Sequence, residues 1–143
     1  MSASGFLLDT NVISEALRPR PEKRVVAWLR EHDARSWLSV VTIGEIEAGI
    51  RGAPDPRRAE ALSAWLDRVL IPQFSHRILR VDLEVARAWG ARVASARARG
   101  TPAGAVDALI AATAAQHGLS VATRNVRDFA HLDVDTVDPW AVA

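Results

Sequence analysis

Apolar residues along this chain alternate between two spacings: short continuous runs, and runs in which they return every three or four positions. Phe6 to Leu8, Ser36 to Val41, Ile78 to Val81, Leu119 to Ala122 and Val134 to Val137 are short and rich in strand formers, so they read as strands. Between them the period becomes helical. Val12 to Leu17 forms one such segment, ending before Pro19, and a second starts near Pro21 with Val25, Trp28 and Leu29 on one face. Thr42 hands over to a helix carrying Ile43, Ile46 and Ile50, closed by Gly49 and Gly52. Leu62, Trp65, Leu66, Val69 and Leu70 mark the clearest amphipathic helix. Asp82 stands as an N-cap ahead of Val85, Trp89, Val93 and Ala96, and Gly100-Thr101-Pro102 ends that helix. The last helix, Ala103 to His117, is apolar almost all round and stops at Gly118, which places it in the interior. Strands alternating with helices predict an α/β fold of three layers, α/β/α, around a mostly parallel sheet of four to five short strands.

Composition narrows this picture. At 143 residues and 49% hydrophobic, the chain is sized for one domain with its own core. Its longest apolar stretches, Val40 to Ile50 and Ala103 to Ala115, are short of a membrane span and each holds a carboxylate. The first apolar run has no basic residues before it and is cut by Asp9, unlike a secretion signal, so a cytoplasmic protein without a membrane anchor is expected. With no cysteine, thiolate catalysis, disulfides and sulfur-based zinc sites are excluded. The net charge of +1 does not by itself announce nucleic-acid binding. The acids are more informative, because several lie inside apolar segments where a charge is poorly solvated.

Asp9 follows the first strand, where ligands bind in open α/β sheets, and it also suits a helix cap. Thr42 and Glu45 have capping-box spacing, so Glu45 alone reads as a cap. Asp107 resists such a reading: several residues into the apolar helix, it needs a partner, a raised pKa or a metal. Asn125 and Asp128 follow the fourth strand, where turn formation is the common use of both residue types. Taken together, strand ends and neighbouring helices bring all these groups toward one pocket. An all-oxygen donor set suits a hard cation such as magnesium or manganese, which relieves carboxylate repulsion. His32, His76, His117 and His131 are scattered and read as structural or surface residues. The arginines from Arg87 to Arg99 suit nucleic-acid phosphates, a solvated helix face or a site for partner contacts.

Four stretches in order, Leu7-Leu8-Asp9-Thr10-Asn11-Val12-Ile13-Ser14-Glu15, Thr42-x-x-Glu45, Asp107-x-x-Ile110-Ala111-Ala112-Thr113-Ala114 and Ala122-Thr123-Arg124-Asn125-Val126-Arg127-Asp128-Phe129, resemble the PIN-domain ribonucleases. Within them the likeness is to VapC-type toxins of toxin–antitoxin pairs. Leu17-Arg18-Pro19, Ile71-Pro72 and Asp138-Pro139-Trp140 resemble the FitB branch most. The resemblance implies an endoribonuclease whose acids hold Mg2+ or Mn2+ and direct water at an RNA phosphodiester. Carried over by position, Asp9, Glu45 and Asp107 are the metal-binding acids. The fourth acidic position departs from the family pattern: Asn125 stands where some relatives have aspartate, leaving Asn125 or Asp128 to fill it. Thr10, Asn11 and Thr123 would orient the acids or water, with Ser14 a weaker candidate. The resemblance further implies a homodimer held inactive by a cognate VapB/FitA-like antitoxin, with DNA engaged only through that antitoxin. A non-catalytic partner-binding subunit on the same fold and a metal-dependent DNA nuclease remain the alternatives.

Overall fold

The computed structural model describes residues 4–142 and contains a five-stranded sheet in the order β3-β2-β1-β4-β5, with every pairing parallel. The strands are β1 (Phe6–Leu8), β2 (Ser36–Ser39), β3 (Ile78–Leu79), β4 (Ser120–Ala122) and β5 (Thr136–Val137). Helices α1 (Thr10–Glu15), α2 (Lys23–His32), α3 (Val40–Arg51), α4 (Pro56–Trp65), α5 (Ile71–Gln73), α6 (Leu83–Ala98) and α7 (Ala105–Gln116) connect them. The expected α/β fold is therefore present, with two strands shortened to two residues each. No described helix is long and apolar enough to cross a membrane.

Successive residues of β1 point to opposite faces, so this one strand seeds both cores. Leu8 packs with Val12, Val25, Trp28, Leu38, Ile50, Leu66 and Phe74, whereas Leu7 packs with Ala108, Ile110, Ala111, Val121, Phe129 and Leu132. Both faces of the sheet are thus covered, as parallel strands with crossover helices require. Gly5 leads into β1 against the loop before β2, and a Cβ there would collide with the backbone carbonyl of Arg35. Gly5→Ala is expected to destabilise the protein by about 1–3 kcal/mol, because the obstacle is backbone and not a movable side chain. Urea unfolding checks this, and an unchanged midpoint would contradict it.

Three local differences from the sequence reading have clear causes. Helix α3 begins two residues before Thr42, because the Ser39 hydroxyl accepts a bond from the Val41 amide at 3.0 Å and caps the helix there. Thr42 consequently lies inside the helix, so the Thr42–Glu45 capping box does not form. Beyond α4 the chain winds as a π-turn over Leu66–Leu70. The wider turn keeps Leu66 and Leu70 buried but rotates Val69 outward to 50% exposure, against the apolar face expected from a uniform 3.6 period. Finally, α7 starts at Ala105, which puts Asp107 in its first turn and not several residues within. The interior character expected of α7 holds further along, where Ala108 and the five residues from Ile110 to Ala114 are buried.

Candidate active site

In the strand order, β1 lies where chain progression reverses: β2 and β3 extend to one side, and β4 and β5 to the other. Crevices outside the C-terminal ends of strands open at such a switch point. Asp9 stands at the tip of β1 and Thr123 at the tip of β4, side by side above this crevice. Their backbones are tied in as well, with the Asp9 amide bonding to Ala122 O at 2.9 Å and the Thr123 amide to Val137 O at 3.0 Å.

Asp9 is buried, and both of its carboxylate oxygens accept hydrogen bonds. Oδ1 takes the Thr10 amide at 2.9 Å, capping α1, while Oδ2 takes the Thr123 hydroxyl at 2.8 Å and the Asn11 side-chain amide at 3.3 Å. The capping role and the pocket position thus belong to the same side chain. Asn11 also accepts the Arg124 amide at 3.2 Å, and the Thr123 hydroxyl accepts the Asn125 amide at 3.0 Å. This network fixes the turn after β4 against the start of α1.

Glu45 projects from the second turn of α3, and its Oε1 accepts the Thr10 hydroxyl at 2.7 Å. That bond replaces the expected backbone cap: the glutamate reaches across to α1 and remains exposed toward the crevice. Asp107 is half-buried in the first turn of α7, where the helix dipole favours an anion. Nevertheless its pKa is raised from 3.8 to about 6, first by burial and then by the charges of Asp9, Asp128 and Glu45. The upward shift means that desolvation and crowding of like charges outweigh the dipole. Four acids brought from separate parts of the chain therefore share one electrostatic neighbourhood.

Asn125 and Asp128 fare differently. Asn125 is exposed at the start of a short 3-10 turn, and its backbone amide is what engages the network; Asp128, also exposed, contributes charge to Asp107. Ser14 is exposed and has no side-chain hydrogen bond among the described residues. The histidines stay out of the crevice: His32, for example, stacks on Trp28 with ring centres 4.5 Å apart. Of the arginines from Arg87 to Arg99, Arg92 donates to Leu132 O and Asp133 O, and Arg99 to His131 O, so these two brace the chain before β5.

Sequence reasoning overlooked Glu15. This buried carboxylate accepts the Glu22 amide at 2.8 Å and pairs with Arg18 at 3.4 Å, securing the entry to α2. Its place in the apolar run Val12-Ile13-Ser14-Glu15 carried the same signal as Asp107. Nor did sequence reasoning give Trp140 a partner, although Arg124 lies over its ring.

The donor set is oxygen throughout and suits a hard divalent cation. Among the described residues, no three His, Cys, Asp or Glu side chains lie close enough together to hold a metal ion between them. The oxygen donors themselves are of the kind magnesium takes, since it is commonly held by one or two carboxylates while retaining waters and taking phosphate oxygens. Asp9, with its orientation fixed by three donors, and the crowded Asp107 are the side chains best placed to hold such an ion.

Fold and site together define an α/β protein with an acidic crevice at the switch point of a parallel sheet. More particularly, residues 6–135 match the PIN domain family, and the chain belongs to it. It is 41% identical over 136 residues to the toxin FitB of Neisseria gonorrhoeae, covering 94% of this chain and 98% of that one. With the VapC ribonuclease Y4jK of Sinorhizobium fredii it shares 34% identity over 139 residues, covering 96% and 99% of the two chains. The crystal structure of FitAcB from Neisseria gonorrhoeae superposes with a TM-score of 0.91 at 40% identity, over 96% of this chain and 99% of that chain. FitAB bound to an IR36 DNA fragment gives a TM-score of 0.89 at 38% identity, over 96% and 97%.

Proposed function

We propose that this protein is a metal-dependent endoribonuclease and the toxin of a toxin–antitoxin pair. The observation that carries the reading is the convergence of acids from separate elements on one place: Thr10 bonds both Asp9 and Glu45, and the charges of Asp9, Asp128 and Glu45 all bear on Asp107. Folding brings like charges together against their repulsion, as a cation site requires and a set of unrelated helix caps does not. The toxin and ribonuclease relatives support the biological role.

Asp9 and Asp107 would hold a magnesium or manganese ion, with Glu45 as a third acid. When bound, such an ion supplies Lewis acidity to a phosphate and makes water a competent nucleophile near neutral pH. The protein's contribution is orientation. The Thr10 amide, the Thr123 hydroxyl and the Asn11 amide fix Asp9, while the Thr10 hydroxyl steers Glu45 toward the same crevice. Asp128 is the fourth charge, and Asn125 serves through its backbone. No serine, cysteine or histidine nucleophile is needed.

The proposed partners are an RNA substrate, a second copy of this chain and a FitA-like antitoxin that brings in DNA. For the second copy, register supplies support: Ser39 pairs with Leu79, which sets exposed Val40 beside the segment carrying exposed Val81 and Leu83. The deciding experiment gives the purified chain RNA and DNA of one sequence with millimolar Mg2+, its mass being read by light scattering. RNA cleavage by a dimer is expected. Cleavage of DNA alone would establish the other nuclease class, and absence of both cleavage and metal binding would leave a partner-binding subunit.

A further inference from the structure

Beside the acids lies an arginine that the proposed chemistry does not use. Arg124 follows Thr123 directly, and its backbone amide bonds to Asn11, so its main chain is locked to the residues that orient Asp9. Its guanidinium carbon lies 5.1 Å from the centre of the Trp140 ring. Trp140 is itself held firmly: its amide bonds to Asp138 Oδ1 at 2.9 Å, its carbonyl accepts Arg24 Nη1 at 2.9 Å, and it packs against the core on the Leu8 face. Among the described residues the ion pairs are Arg18–Glu15 and Arg51–Glu47, and Arg124 has no carboxylate partner among those residues. It is also exposed.

Contact with the indole restrains the guanidinium, which reduces the side-chain freedom lost on forming bidentate bonds to phosphate. Its position also answers an electrostatic problem. A crevice lined by four acids repels a polyanion, and a fixed cation at the rim would offset that repulsion where the strand enters. From this geometry we infer that Arg124, stacked on Trp140, binds a backbone phosphate of the RNA strand next to the one undergoing cleavage. The inference rests on the ribonuclease reading and adds a substrate-positioning residue to it. A phosphate contact positions the strand without reading its sequence.

The test uses a single-stranded RNA oligonucleotide, the full chain and its Arg124→Ala, Arg124→Lys, Trp140→Phe and Arg58→Ala variants. Arg58 is an exposed arginine of α4 and serves as the control. Arg124→Ala is expected to raise KM at least fivefold with much less change in kcat, as expected when binding common to ground and transition states is lost. The dependence of log(1/KM) on log salt concentration should become shallower by about 0.7, the slope of one single-strand phosphate contact. Arg124→Lys should recover the salt slope but only part of the affinity, and Trp140→Phe should fall between wild type and Arg124→Ala. A merely structural role would lower the unfolding midpoint without changing the salt slope. An unchanged slope and KM in Arg124→Ala, or equal effects in Arg58→Ala, would overturn the inference while leaving the nuclease intact. Failure of the wild type to cleave or bind RNA would instead overturn the ribonuclease reading, and this inference with it.

Discussion

Asp107→Asn protein is expected to cleave RNA about a hundredfold or more slowly than wild type, while remaining as well folded as the parent. The size follows from removing one preorganised electrostatic group at a centre where charge develops, where such losses run to about 10²–10³. Asp107 is the better target because it takes part in no side-chain hydrogen bond among the described residues, whereas Asp9 accepts three. Asp9→Asn also replaces an acceptor facing donors with an amide, and should cost about 1–2 kcal/mol of stability besides activity. Single-turnover cleavage, with circular dichroism to verify folding, checks both. A loss below tenfold in Asp107→Asn would contradict its assignment.

Manganese at a hundredfold excess over its dissociation constant should stabilise wild type by about 2.7 kcal/mol, because only the native state assembles the site. For a chain of this size that corresponds to a rise of about 5–10 °C in Tm. Asp107→Asn should show little of it. With chelator present the order of the two proteins reverses. The folded state raises the pKa of Asp107 from 3.8 to about 6, so between those values it binds more protons than the unfolded state, and stability falls as pH rises. Above about pH 6 the cost is constant. Solvent screening of this half-exposed group keeps it to about 1 kcal/mol, which Asp107→Asn should recover at pH 7.5. Thermal unfolding of both proteins from pH 4 to 8, with and without manganese, reads all of this. Equal manganese shifts in wild type and variant would place the metal elsewhere.

Periodicity made the layers legible. Phe6 to Leu8 rising to Asp9 is visible in sequence because an apolar run ending in one carboxylate has few other uses, and the apolar Ala108 to Ala114 stretch of α7 shows its burial directly. Where the reading slipped, a choice between neighbouring residues was decided by local geometry. Ser39 and Thr42 are both competent N-caps, and only the backbone turn at Ser39 decides between them. The π-turn that exposes Val69 has no marker in residue type, since Leu62 to Leu70 keeps a helical period throughout. Within the site, the acids stood out against apolar neighbours. Their partners did not, because the Thr10–Glu45 bond joins residues 35 positions apart and the Thr123–Asp9 bond residues 114 apart. Arg124 looked like one arginine among many until folding set it over Trp140.

The central claim is that these carboxylates work by holding a divalent metal at an RNA phosphodiester. It is tested most directly by following cleavage of one RNA oligonucleotide by wild-type protein stripped with chelator, and then resupplied with millimolar Mn2+ or Mg2+. Cleavage should stop on stripping, return on resupply, and fail to return in Asp107→Asn. Undiminished cleavage by the stripped protein, or recovery by the variant to the wild-type rate, would contradict the account.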